Sequence, residues 1–137
     1  MLHELNAAAR AFLEEPRFAV LATIGPSGLP QQSVIWYYVD GEELVFNSRR
    51  GRVKDRNIVR DSRVSVCVAD GDYYITIDGP VRIIEDPATA QADIKHMAIR
   101  YNGPETGARQ AATEFSKQER ISYRVALDHV LVYGFDE

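Results

Sequence analysis

Six runs rich in β-branched and aromatic residues are spaced along the 137 residues, most of them separated by turn chemistry, and this pattern points to an antiparallel sheet. Residues 18–24 (FAVLATI) form the first run. Gly25-Pro26-Ser27-Gly28 follows, with Pro at the second and Gly at the fourth place of a type I turn. Residues 31–39 (QQSVIWYYV) form the second run, and the hairpin signal Asp40-Gly41 returns the chain through Glu43 to Phe46. Residues 64–68 and 73–84 flank the turn Asp70-Gly71-Asp72. Gly79-Pro80 is expected to bend or bulge the longer of these two strands. Tyr123, Val125 and Leu127 alternate in the last run, which resumes over residues 130–133.

Helical patterns lie before and between the strands. Leu2, Leu5, Ala9, Phe12 and Leu13 predict an amphipathic helix over residues 2–15, ending before Pro16. Asp86-Pro87 is a helix start, with an N-cap acid and Pro at the first position. Ala90, Ile94, Met97, Ala98 and Tyr101 mark that helix's apolar face, and Asn102-Gly103-Pro104 its stop. Ala108, Ala111, Ala112 and Phe115 predict another helix. The expected fold is mainly β within the α+β class: six antiparallel strands closing as a small barrel, helices packed outside, in a single domain over residues 1–137.

Charge is concentrated in residues 47–63, NSRRGRVKDRNIVRDSR, where seven Arg or Lys stand against two Asp in a chain of net charge −4. The run follows the apolar Leu44-Val45-Phe46 and passes through Asn47, Ser48 and Gly51 into a predicted helix over residues 52–61. Small polar residues leading from a strand into a helix N-terminus offer hydroxyls and free N–H groups to a phosphate, and neighbouring Arg and Lys supply matching charge. A solvated basic turn is the competing interpretation. Trp36, Tyr37 and Tyr38 place rings on both faces of one strand, so that strand needs cover on both sides, from a core and from a partner subunit, a flat ligand or other parts of the chain.

The remaining features exclude more than they indicate. Cys67 is the only cysteine and sits in an apolar strand, where a small buried hydrophobe is expected. The three histidines lack ligands at metal spacing, so no metal site is expected. No GxSxG, Walker or GxGxxG motif occurs. Apolar runs are too short to span a bilayer and the N-terminal stretch lacks the blocks of a signal peptide, so a cytoplasmic location is expected. A nucleic-acid role is disfavoured, because the basic charge is confined to one segment of a chain with pI near 5.4.

Taken in order, the apolar first strand, the G-x-P-Q entry to the second, the R-x-K-x-x-N-I segment and the I-x-G-x-V-x-I strand resemble the split-barrel flavin and deazaflavin family related to pyridoxamine 5′-phosphate oxidase, and especially its F420-dependent branch. The resemblance covers about residues 5–135. It implies a homodimeric six-stranded split barrel with cofactor sites at the subunit interface. It also implies that Asn47, Ser48, Arg52, Lys54 and Asn57 hold the cofactor phosphate, that Gln31 and Ser33 line the ring, and that Tyr74 contacts the cofactor. The chemistry implied is hydride transfer from reduced F420 to a small conjugated acceptor, largely the cofactor's own, with no general acid assignable. An FMN-dependent reductase or oxidase and a non-catalytic cofactor carrier are the alternatives. The pyridoxamine phosphate reaction itself is not expected, because its Arg-rich, Trp-containing C-terminal segment has no counterpart after Arg124. The surplus of Arg around the phosphate segment favours F420, whose tail carries anions that FMN lacks.

Overall fold

A computed structural model describes residues 1–135. Its strands are β1 (Ala19–Ile24), β2 (Pro30–Ile35), β3 (Tyr38–Asp40), β4 (Glu43–Arg49), β5 (Arg63–Asp70), β6 (Tyr73–Ile84), β7 (Arg120–Ala126) and β8 (Val130–Tyr133). The helices are α1 (Ala7–Glu14), α2 (Val53–Arg60), α3 (Pro87–Asn102) and α4 (Pro104–Thr113), with a 3-10 turn over Phe115–Lys117.

All pairings are antiparallel, in the order β2-β1-β5-β6-β7-β4-β3, with β8 also on β6. The two ends of that path, β2 and β3, are joined by Trp36 and Tyr37 alone. A sheet whose first and last strands are two residues apart must curl until its ends meet. Since β2 and β3 do not pair, the result is a barrel with a split.

The expected six strands become eight at two places. The run over residues 31–39 breaks because the Tyr37 N–H donates to the Tyr101 hydroxyl (3.1 Å) instead of to a neighbouring strand. The final run breaks opposite Gly79-Pro80, where Ala126–His129 on one strand faces Asp78–Pro80 on the other, an extra residue that bulges the edge. β6 itself stays unbroken across Gly79-Pro80, and it is its partner that changes there from β8 to β7. The first helix is also shorter than predicted. Asn6 caps it by accepting from the Ala9 N–H (2.9 Å), and Leu2 instead pairs with Val132 in both directions.

Alternation along the strands sorts the core. Leu21, Leu44, Phe46, Val66, Ile75, Ile77, Tyr123 and Val125 fill the barrel, and Phe12 and Leu13 of α1 pack against them. A second cluster of Ile94, Ala98, Ala111 and Phe115 lies between α3 and α4, and Trp36 packs onto it. Trp36 stacks on Tyr101 (5.2 Å between centroids, 9° between planes), while the Tyr37 ring is wholly buried in the barrel core. The two-sided cover expected for this strand is therefore supplied within the chain at Trp36 and Tyr37.

The α3–α4 pair is closed at Gly107. A Cβ there would lie 2.5 Å from both Ala98 C and Ile99 Cα, which are backbone atoms that cannot move aside. Gly107→Ala is expected to destabilise the protein by about 3 kcal/mol through overpacking, read as a fall in the denaturant midpoint. An unchanged midpoint would show that the two helices are not in close contact.

Among the described residues, one face of the sheet has no helix over it. Val34, Val20, Cys67, Thr76 and Leu131 form a row across β2, β1, β5, β6 and β8, with Val34 67% and Val20 39% exposed. No helix among the described residues is long and apolar enough to cross a membrane.

Candidate functional site

β4 delivers Asn47, Ser48 and Arg49 to the edge of the barrel, and the turn to α2 carries Arg50, Gly51 and Arg52. Arg52 is the N-cap, with extended backbone and no side-chain cap bond. Gly51 sits at φ +88°, which disfavours other residues. The turn is clamped from below by Asp55, which is 4% exposed and accepts from the Gly51 N–H (2.9 Å) and from the Tyr123 hydroxyl. Burial and the neighbouring carboxylate push the Tyr123 phenol well above its ordinary value, so it stays a donor. Tyr123→Phe leaves a buried carboxylate oxygen without its partner and is expected to cost about 1–3 kcal/mol of stability, measured by denaturant unfolding. Wild-type stability in that variant would mean the clamp is not formed.

The basic run divides into two groups. Arg50 pairs with Glu85 (2.6 Å) and Glu119 (2.7 Å), and Arg63 with Asp61 (2.7 Å). Arg56 donates to the Gly51 carbonyl (2.5 Å), and Arg60 to the Ile24 carbonyl (3.0 Å) and to Asn57 Oδ1 (2.6 Å). Arg49, Arg52 and Lys54 have no ion pair among the described residues. Together with Arg120 from β7 they line a cleft of about 250 Å³. Its apolar wall is Val34, Ile35, Trp36, Ile94, Met97 and Phe115, and among the described residues no carboxylate lines it.

Burial and the neighbouring guanidinium groups act on two of these cations. Burial, then Arg52 and Arg120, lowers the Lys54 ammonium from its ordinary value. Burial, then Arg52 and Arg49, lowers the Arg120 guanidinium to about 10, still charged at neutral pH. A bound anion would reverse both shifts.

The residues expected from sequence separate into groups. Asn47, Ser48, Arg52 and Lys54 meet in the cleft. Ser33 pairs with Leu21 on the strand that supplies Val34 and Ile35, and its Oγ is buried without a hydrogen-bond partner among the described residues. Gln31 accepts from Thr23 Oγ1 (3.3 Å) and donates to the Gln32 carbonyl (2.9 Å). Asn57 is buried and donates to Thr23 Oγ1 (3.0 Å), an internal bond that fastens α2 to β1. Tyr74 stacks on Tyr133 (5.3 Å) on the face of the sheet that no helix covers, and does not line the cleft. Arg49, Arg120 and Phe115 belong to the cleft without being expected there from sequence, and Trp36, expected only to need cover, lines it too. For Arg120 the only available signal is register, since it stands directly opposite Arg49 in the β4–β7 pair.

Comparison with known proteins bears on the family and the fold. No curated protein matches in sequence. Among solved structures, the conserved hypothetical protein Rv2991 from Mycobacterium tuberculosis is similar at a TM-score of 0.81 and 27% identity, over 96% of this chain and 86% of that one. A protein described as an F420 reductase aligns at 0.74 and 29% identity, over 93% of this chain and 98% of that one. HutZ, described as a heme storage protein from Vibrio cholerae, shares the fold at 0.70 and 16% identity, over 96% of both chains. The sequence pattern of pyridoxamine 5′-phosphate oxidase matches residues 5–130, and the chain belongs to that family.

Proposed function

We infer that this protein is an oxidoreductase that binds F420 through its anionic end in the cleft and works as a homodimer on a small conjugated acceptor. The observation that carries this is the meeting of Arg49, Arg52, Lys54 and Arg120, with no carboxylate among the described lining residues, beside a wall of aliphatic and aromatic side chains. Such a donor set fits phosphate and carboxylate oxygens, and the wall fits a flat ring. Four cations exceed what a single FMN phosphate requires, and a structure 29% identical is described as an F420 reductase. Ser48, Arg52 and Lys54, which line the cleft, would hold the phosphate. When bound and reduced, the deazaflavin supplies hydride to the acceptor; this chain's residues orient it and exclude water.

Two features support the dimer. At about 250 Å³ the cleft lies below the usual range of small-molecule sites, which is in keeping with a further wall from a partner. Val34 both lines the cleft and lies on the uncovered sheet face, so a second copy docked on that face would supply the wall.

A non-catalytic carrier is the second reading, because holding the ring and its anionic end requires only the same cleft residues. Fluorescence titrations with F420 and FMN rank the cofactors, and tighter F420 binding is expected. Oxidation of the reduced F420 complex by a panel of quinones, enones, nitroaromatics and tetrapyrroles then separates enzyme from carrier. Tight binding with no oxidation by any acceptor would leave the carrier.

A further inference from the structure

Asn47 is inherited from the family resemblance as a cofactor ligand, but its hydrogen bonds point elsewhere. Its side-chain amide donates to the Ala90 carbonyl (3.0 Å) and to Ser122 Oγ (3.0 Å), which uses both of its N–H groups. Its Oδ1 accepts from Arg120 Nε (2.9 Å). Asn47 is buried, so it has little left to offer a ligand directly. It holds Arg120.

The direction of these bonds is imposed from further inside. Asp93 is buried on α3, and its Oδ2 accepts from Ser122 Oγ (2.6 Å) while its Oδ1 accepts from the Tyr38 hydroxyl (2.8 Å). A carboxylate can only accept, so Ser122 must spend its one hydrogen on Asp93 and can only accept from Asn47. Asn47 must then turn its NH₂ toward Ser122, which leaves its oxygen facing Arg120. Reversing any link would put two donors or two acceptors face to face.

At the end of this chain Arg120 uses Nε on Asn47 and Nη1 on Gln118 Oε1 (2.7 Å), and Nη2 has no hydrogen-bond partner among the described residues. Arg120 lines the cleft, directly across the strand pair from Arg49. Like charges opposite one another destabilise a sheet, and two arginines placed so, with Arg52 nearby, make sense if an anion joins them.

We propose that Arg120 is an anion-binding residue of the cleft and that Asp93, acting through Ser122 and Asn47, is the positioning residue that aims its guanidinium there. This rests on reading the cleft as an anion site, but not on the identity of the cofactor. It assigns Asn47 to the support of the site.

The test uses the full chain and inorganic pyrophosphate. The Arg120 Nε–H resonance is assigned by its loss in Arg120→Lys, and pyrophosphate is expected to shift it. Arg120→Ala and Arg120→Lys are each expected to weaken pyrophosphate binding about tenfold, the lysine because it lacks the fork. Ser122→Ala and Asp93→Asn are expected to weaken it about threefold and to speed solvent exchange of the Arg120 Nε–H in the free protein. A merely structural role for Asp93 would not produce that exchange change in a folded variant. If Asp93→Asn does not fold, Ser122→Ala breaks the same chain one link on and leaves Asp93 its bond from Tyr38. An unmoved Arg120 resonance, with binding abolished by Arg52→Ala, overturns the proposal and leaves the cleft reading standing. Unchanged affinity in both Arg52→Ala and Arg120→Ala overturns both. An Arg120 effect without any Ser122 or Asp93 effect on affinity or exchange overturns the positioning half.

Discussion

Replacing Arg52 and Lys54 together by alanine is expected to lower F420 affinity by at least two orders of magnitude while leaving the free protein as stable as the wild type, or more so. Each charge-assisted hydrogen bond contributes about 1.5–3 kcal/mol, and both side chains line one cleft. The stability half follows from electrostatics. Burial, then Arg52 and Arg120, holds Lys54 below the ordinary lysine value of 10.5, so charging it disfavours the free folded state. Between the folded value and the unfolded one, the unfolded chain carries more protons on this group, and its contribution to stability rises with pH through that window. Removing the ammonium removes that cost. Fluorescence titration and a thermal melt on the same samples check both halves. Unchanged affinity would remove the phosphate assignment, and a large loss of stability would show that these cations support the fold instead.

Val20→Asp is expected to give a folded monomer that no longer binds cofactor tightly. Val20 lies between Val34 and Cys67 on the face that no helix covers, and is 39% exposed in the single chain. In the free chain a carboxylate there remains solvated and costs little. Against a second copy of the same face it would be buried without a partner, at a cost of several kcal/mol. Because Val34 is shared with the cleft, loss of the partner would also open the site. Sedimentation equilibrium reads the assembly, and circular dichroism confirms the fold. A dimer that survives this substitution would place the interface elsewhere.

What could be read in advance divides by distance along the chain. That Ser48, Arg52 and Lys54 lie close together was legible because the strand, the turn and the helix start that present them are contiguous. Asn57 belongs to the same segment, yet lies on the buried side of α2 against Thr23, a helix face chosen by packing on β1. Arg120 joins the cleft from β7, and its role is visible only in the register that sets it opposite Arg49. Asp93, likewise, looks in sequence like one more polar position on an amphipathic helix.

The sequence by itself determined where the β-rich runs lie, most of the turns between them and the concentration of positive charge at one strand-to-helix junction, because period, turn residues and local charge act over a few residues. Only the tertiary structure decided which of those charges are neutralised and which are left facing a cleft. Arg50 finds Glu85 and Glu119, whereas Arg49, Arg52 and Lys54 meet Arg120 in a cleft with no acid among its described lining residues. That sorting depends on which distant strands and helices lie within a few ångströms, where Coulomb and hydrogen-bond energies are large, and sequence spacing does not encode it.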